Sequence, residues 1–149
     1  MKINFTKKQF KILMDLVYAG NIMINGIRNS DEEIKEYDDL ENYIYSFSKN
    51  FGFEDLVEYN REFDKYFPTR KYEEEMEEFI DEYDDYIFWD ELSIRLAKRD
   101  AYREVKQEIT EENVEKFILR QFEIAEKYEE EFSKNGLDNL EIVKKAKRK

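Results

Sequence analysis

The sequence predicts an all-α fold: a single compact helical domain, residues 1–149, of about five or six helices packed around a buried N-terminal helix. Three observations lead there. Apolar side chains recur at three- and four-residue spacing in at least five segments, alternating strand patterns are weak throughout, and one Pro in 149 residues imposes few breaks. Mean hydropathy is −0.90 and 42% of residues are charged, a balance that alone suggests disorder, but 16% are aromatic and those aromatics are periodic. The chain therefore folds, and its length suits one core without a Gly/Ser or Pro-rich linker.

The first helix opens at Thr6, with Gln9 as capping-box partner and Phe5 and Phe10 as a hydrophobic staple, and runs to about Ile27. Its stretch Ile12 to Ile27 is the most apolar in the chain and is expected to be the most buried helix. Asp15, Asn21 and Asn25 interrupt it, and it is too short for a membrane span, which needs about 20 apolar residues. Ser30 with Glu33, and Asp38 with Glu41, offer competing capping boxes for a second helix carrying Leu40, Tyr43, Ile44 and Phe47, closed by Gly52. Leu56, Tyr59, Phe63 and Tyr66 have the spacing of a short third helix stopped by Pro68.

Thr69 opens an acidic helix. Residues 72–91 hold eleven carboxylates and no Lys or Arg, on a repeat in which Tyr72, Met76, Phe79, Ile80 and Tyr83 form an apolar stripe. Glu74, Glu77, Glu78 and Asp81 then form an outer ridge. Asp84 could cap a new helix with Tyr83 and Phe88 as staple, so a break is expected near Tyr83 to Asp85, followed by an apolar face of Phe88, Leu92, Leu96 and Tyr102. Thr110 is expected to cap the last long helix, with Val114, Phe117, Ile118, Ala125, Tyr128 and Phe132 facing inward and Gly136 ending it beside Leu137. Residues 144–149 read as a frayed basic tail. The expected core is Phe10, Leu13, Val17, Ile24, Phe79, Leu92, Leu96, Phe117 and Tyr128.

One internal echo relates Glu32–Asp39 to Glu78–Asp85 at an offset of 46 residues. Two copies in a chain so rich in Glu, Tyr and Asp do not make a solenoid, which needs three or more repeats.

The chemistry search returns mostly absences. Without His or Cys there is no Ser-His-Asp triad, no His or thiolate zinc site and no disulfide, and the four Gly build no phosphate loop. Carboxylate chemistry survives in two forms. Asp84, Asp85, Asp90 or Glu91 could hold Mg²⁺, although paired acids at a helix start are explained by capping alone. Glu104-Val105-Lys106 has the E-x-K spacing of some nucleases, in a helical context that does not suit it. Neither a cofactor nor a resident metal is expected.

Arg95, Lys98, Arg99 and Arg103 line one helix face, which would meet the acidic helix through ion pairs if the chain turned back near Asp84. Trp89 and Tyr86 flank this switch from acidic to basic, Trp89 as a core residue first and an interface anchor second. The functional expectation is a non-enzymatic, cytoplasmic protein-interaction module with no direct nucleic-acid or membrane contact. Its candidate partner-binding residues are Glu74, Glu77, Glu78, Asp81, Asp85, Tyr86, Trp89, Arg95, Arg99 and Arg103, and its partner is a protein that is basic or itself binds nucleic acid. Two alternatives stand beside it: an acidic nucleic-acid mimic that inhibits a nuclease or DNA-binding protein, and an enzyme using a carboxylate-bound metal.

Overall fold

Helix dominates the computed structural model, which describes residues 3–105 and 109–143, but the helices are fewer and longer than expected. The order is α1 (Lys7–Asn25), α2 (Lys35–Tyr45), a 3₁₀ turn (Ser48–Phe51), β1 (Val57–Asn60), β2 (Lys65–Pro68), α3 (Arg70–Glu104) and α4 (Val114–Asn135). The expectation of an all-α fold with five or six helices is thus corrected. Among the described residues there are four α-helices, and the segment read as a third helix is a β-hairpin.

The hairpin shows why spacing misled. Leu56, Tyr59, Phe63 and Tyr66 fit a helical period, but Val57, Tyr59, Tyr66 and Phe67 are equally good strand formers. The turn decides. Asn60 Oδ1 accepts the backbone N–H groups of Glu62 and Phe63, and Asp64 adopts φ 52°, a left-handed conformation that Asp tolerates better than most residues. β1 and β2 then pair antiparallel, Val57 opposite Pro68 and Tyr59 opposite Tyr66, with Pro68 in the final strand position where a missing N–H costs least. Asn42 of α2 accepts the Tyr66 N–H at 2.8 Å, and Lys65 pairs with Asp38.

The chain divides into two compact units, Met1–Glu82 and Tyr83–Lys149; α3 contributes its first turns to one and its remainder to the other. In the first unit Thr6 and Gln9 form the expected reciprocal capping box. α2 has neither expected cap: its N-cap is Ile34, held by a bond from its N–H to Asn25 Oδ1, and Asp38 and Glu41 lie inside the helix with their carboxylates committed elsewhere. Gly52 does terminate a helical segment, the 3₁₀ turn, with φ 72°. The core consists of Phe10, Met14, Tyr45, Leu56, Val57, Tyr72 and Met76, with Leu13 and Val17 packed against it. α1 is not buried all round. Ile12, Leu16, Met23 and Ile27 are exposed, Leu16 by 66%, because α1 buries one stripe and leaves the other face in solvent.

The second unit is an α-hairpin. Trp89 meets Phe132, Asp100 meets Tyr128 and Glu104 meets Arg120, so positions rise along α3 as they fall along α4 and the helices run antiparallel. Its buried core is Ala97, Ala101, Ile124 and Ala125, with Phe117 and Tyr128 packed against it. Ser93, Ala97 and Ala101, four apart, present small side chains on one face of α3. The expected break at Tyr83 to Asp85 does not occur: no Gly or Pro lies there, and the helix penalty of Asp, below about 0.7 kcal/mol, does not break a backbone ladder. α4 begins at Val114 with Asn113 as N-cap rather than at Thr110, whose carbonyl accepts the N–H groups of Asn113 and Val114 in a preceding turn. Val114 and Ile118 are exposed, against expectation, whereas Ala125 and Phe132 are buried. Gly136 ends the helix at φ 55°. The 144–149 tail lies outside the described residues.

Candidate functional site

The acidic ridge exists as four exposed carboxylates on the first turns of α3. Glu74, Glu77, Glu78 and Asp81 project away from Tyr72 and Met76, which are buried. Helical geometry spaces neighbours three and four apart by about 5–6 Å between Cβ atoms. Glu74 pairs with Arg70 Nε at 2.8 Å; among the described residues Glu77, Glu78 and Asp81 form no ion pair. The stripe beneath them is shorter than expected. Ile80 is half-buried, but Phe79, expected in the core, is 65% exposed, and Tyr83 is also in solvent. The physical cause is local: the core of the first unit ends at Met76 and Ile80.

Inside that unit lies a polar cluster that spacing alone did not reveal. The Tyr72 hydroxyl donates to Asp15 Oδ1 at 2.9 Å, and Lys11 Nζ donates to the same oxygen at 2.7 Å while sitting 4.7 Å from the Tyr72 ring centre. The Tyr45 hydroxyl donates to Glu41 Oε1 at 3.0 Å, and Asn21 Nδ2 donates to Glu41 Oε2 at 2.8 Å. Burial pushes the Glu41 carboxyl above its ordinary range, against the two donated bonds, and burial likewise raises both tyrosines. Asp15 has a cation in contact. Glu41 is held by neutral donors. A carboxylate on the inner face, four residues from a tyrosine, was the available sequence signal for this cluster.

The remaining candidate residues lie in the second unit and are mostly engaged with one another. Asp85 Oδ1 accepts the Trp89 Nε1–H at 3.0 Å, and the Trp89 ring lies 5.5 Å from that of buried Phe132, so Trp89 packs between α3 and α4. Tyr86 is 67% exposed. The expected turn near Asp84 is absent, since α3 runs from Arg70 to Glu104, and the basic face pairs locally. Arg95 binds Glu91 at 2.8 Å, and Arg99 and Arg103 both bind Asp100, at 2.8 and 3.0 Å. Arg99 and the donated bond from Tyr128 hold the Asp100 carboxyl down at about 2, below its ordinary 3.8.

Glu104, of the E-x-K spacing, is gripped by Arg120 through Nε at 2.7 Å and Nη2 at 2.9 Å, which lowers its carboxyl from the ordinary range; Lys106 lies outside the described residues. Asp84, Asp85, Asp90 and Glu91 do not form a metal cage. On an unbroken helix successive residues fan out by about 100°, and among the described residues no group of three or more His, Cys, Asp or Glu could hold an ion. Nor, among them, is any helix long and apolar enough to cross a membrane. No protein-family model matches this chain, and neither a curated protein nor a solved structure is detectably similar to it.

Proposed function

We propose that this chain is a non-enzymatic protein-interaction module whose acidic ridge, Glu74, Glu77, Glu78 and Asp81, meets a basic surface on a partner protein. The observation that carries the reading is uncompensated charge: three of these four carboxylates stand in solvent with no ion pair among the described residues. Residues 1–82, which include the ridge, hold 20 Asp and Glu against 11 Lys and Arg, so this unit carries −9 of the total −12. A surface of that sign steers cationic partners and speeds encounter. A cytoplasmic setting is part of the proposal, since a chain without cysteine has no disulfide to form elsewhere.

The nucleic-acid mimic is the stricter version of the same surface, because it requires a partner that binds DNA or RNA in the groove that the ridge occupies. Capture of partners from lysate across a salt series tests the general reading. Partners held by the ridge should release as salt rises from about 0.05 to about 0.5 M, since exposed charges are screened over about 8 Å at physiological ionic strength. A retained set indifferent to salt would contradict it. Competition of the captured protein with duplex DNA then separates the two versions: mutual exclusion supports the mimic, and simultaneous binding leaves the ordinary module.

A further inference from the structure

We infer that the outer face of α1 is a self-association surface, on which a second copy of this chain lays its own α1 antiparallel, about a twofold axis between Ala19 and Gly20. The face is apolar and open. At about 100° per residue, positions 12, 16, 20, 23 and 27 fall within about 80° of the helix circumference, on the side away from buried Phe10 and Met14. Gly26 keeps a right-handed helical backbone, which carries Ile27 on in line. Ile12, Leu16, Met23 and Ile27 are exposed by 48, 66, 66 and 88%. In a chain that is 42% charged, the twelve residues from Leu16 to Ile27 include no Asp, Glu, Lys or Arg, the depletion that marks the centre of an interface.

Three features select a second copy as the occupant. The first is register. A twofold pair requires that residue i meet j and j meet i, and the face satisfies this: Leu16 lies as far before the Ala19–Gly20 midpoint as Met23 lies after it, and Ile12 as far before as Ile27 after. Each large side chain then meets another. Gly20 stands at the midpoint inside a helix, where glycine is less stable than alanine, yet a Cβ there would meet nothing within 4 Å. The chain's own packing does not require the missing side chain; close approach of a second helix backbone does.

The second is charge at the ends. α1 begins with Lys7 and Lys8 at its positive dipole end, has no acidic residue in its first turn and no basic one in its last, and is followed by the exposed acidic stretch Asp31, Glu32 and Glu33. Antiparallel pairing sets Lys8 of each copy toward that stretch of the other and lays opposite dipole ends side by side. Among the described residues Lys8, Asp31 and Glu33 form no ion pair within their own chain. The third is area. A stable interface covers about 800 Å² per partner, and in homodimers about 65% of it is apolar, so about 520 Å² of apolar surface is needed. At roughly 150–200 Å² per large apolar side chain, the exposed parts of Ile12, Leu16, Met23 and Ile27, with Ile22 on the flank, supply about 500 Å².

The test is the mass of the full chain in solution. Sedimentation equilibrium over a concentration series should give twice 18.4 kDa, and Leu16→Glu should return the mass to 18.4 kDa with the far-UV helical signal retained, since Leu16 lies outside the core. Gly20→Leu should weaken the dimer about tenfold or more while it favours the helix, and it decides the matter should Leu16→Glu lose helix. Because the chain has no cysteine, oxidation reads the direction of pairing. Leu16→Cys mixed with Met23→Cys should give a disulfide-linked dimer, and neither variant alone should, because the two copies of either residue stand about 10 Å apart along the axis, beyond a disulfide's reach. A monomer at every concentration would overturn the inference and leave the face to a different protein. So would a dimer unaffected by both Leu16→Glu and Gly20→Leu, or one in which Leu16→Cys links to itself.

Discussion

The Tyr72 hydroxyl donates a 2.9 Å hydrogen bond to Asp15, joining the first turns of α3 to the middle of α1 across 57 positions of sequence. Tyr72 is fully buried, touches Lys11 through its ring face, and lies 5.5 and 6.2 Å from the rings of Tyr18 and Tyr45. It is the point where the helix that carries the acidic ridge is anchored.

Tyr72→Phe should therefore be costly although it keeps the ring. It removes a donor to a carboxylate, a bond worth about 1.5–3 kcal/mol, and leaves Lys11 as the remaining side-chain donor to Asp15 Oδ1. Tyr72→Ala should cost about 3–5 kcal/mol, since it adds a cavity. Urea unfolding at neutral pH checks both, and a Phe variant as stable as the parent would show that the hydroxyl is dispensable.

Glu41 gives the first unit a pH dependence of definite sign. Its folded carboxyl titrates above the ordinary 4.5 because burial disfavours the charged form. Between the ordinary and the raised value the folded state binds more protons than the unfolded one, so this group's contribution is greatest at low pH and is lost as pH rises through the folded value. Glu41→Gln should flatten that part of the stability profile and leave the protein at neutral pH at least as stable as the parent. Thermal melts between about pH 4 and 7 test it, and a profile unchanged by Glu41→Gln would remove Glu41 from the explanation.

Asp100 should behave in the opposite way. Its carboxyl is held at about 2 by Arg99 and by Tyr128, so its contribution is present above the ordinary 3.8 and lost as pH falls toward 2. Asp100→Asn should weaken the α3–α4 hairpin at neutral pH and abolish this acid sensitivity, as read by hydrogen exchange in residues 89–104. Acid sensitivity retained in Asp100→Asn would assign it to another carboxylate.

Ser93 is 1% exposed and its hydroxyl has no hydrogen-bond partner among the described residues. An unsatisfied buried hydroxyl costs about 1–3 kcal/mol, and Ala has better helix propensity, so Ser93→Ala should raise the melting temperature. A fall would show that the hydroxyl is paired in solution.

How much of this was legible in the sequence depends on what fixes each element. The Thr6–Gln9 capping box and the Gly136 stop are local devices, and both stand where the sequence puts them. The hairpin at residues 57–68 was missed because its aromatics also fit a helical period, and the deciding contacts, Asn60 to Glu62 and Phe63, belong to a turn without glycine. The unbroken course of α3 was misjudged by treating Asp84 as a cap when it is an ordinary surface residue of a long helix. Ridge residues were legible because helical period and composition identify them. The Glu41 and Asp15 cluster was not, since its members come from three helices that only the fold brings together.

The acidic ridge is tested most directly by reversing it. Glu74, Glu77, Glu78 and Asp81 are all exposed and opposite the buried stripe, so changing the four to Lys together should leave the far-UV helical signal intact. Partner affinity measured by titration calorimetry should be lost in the fourfold variant, while the parent binds more weakly as salt is raised. Unchanged affinity in a folded fourfold variant would contradict the ridge as the binding surface.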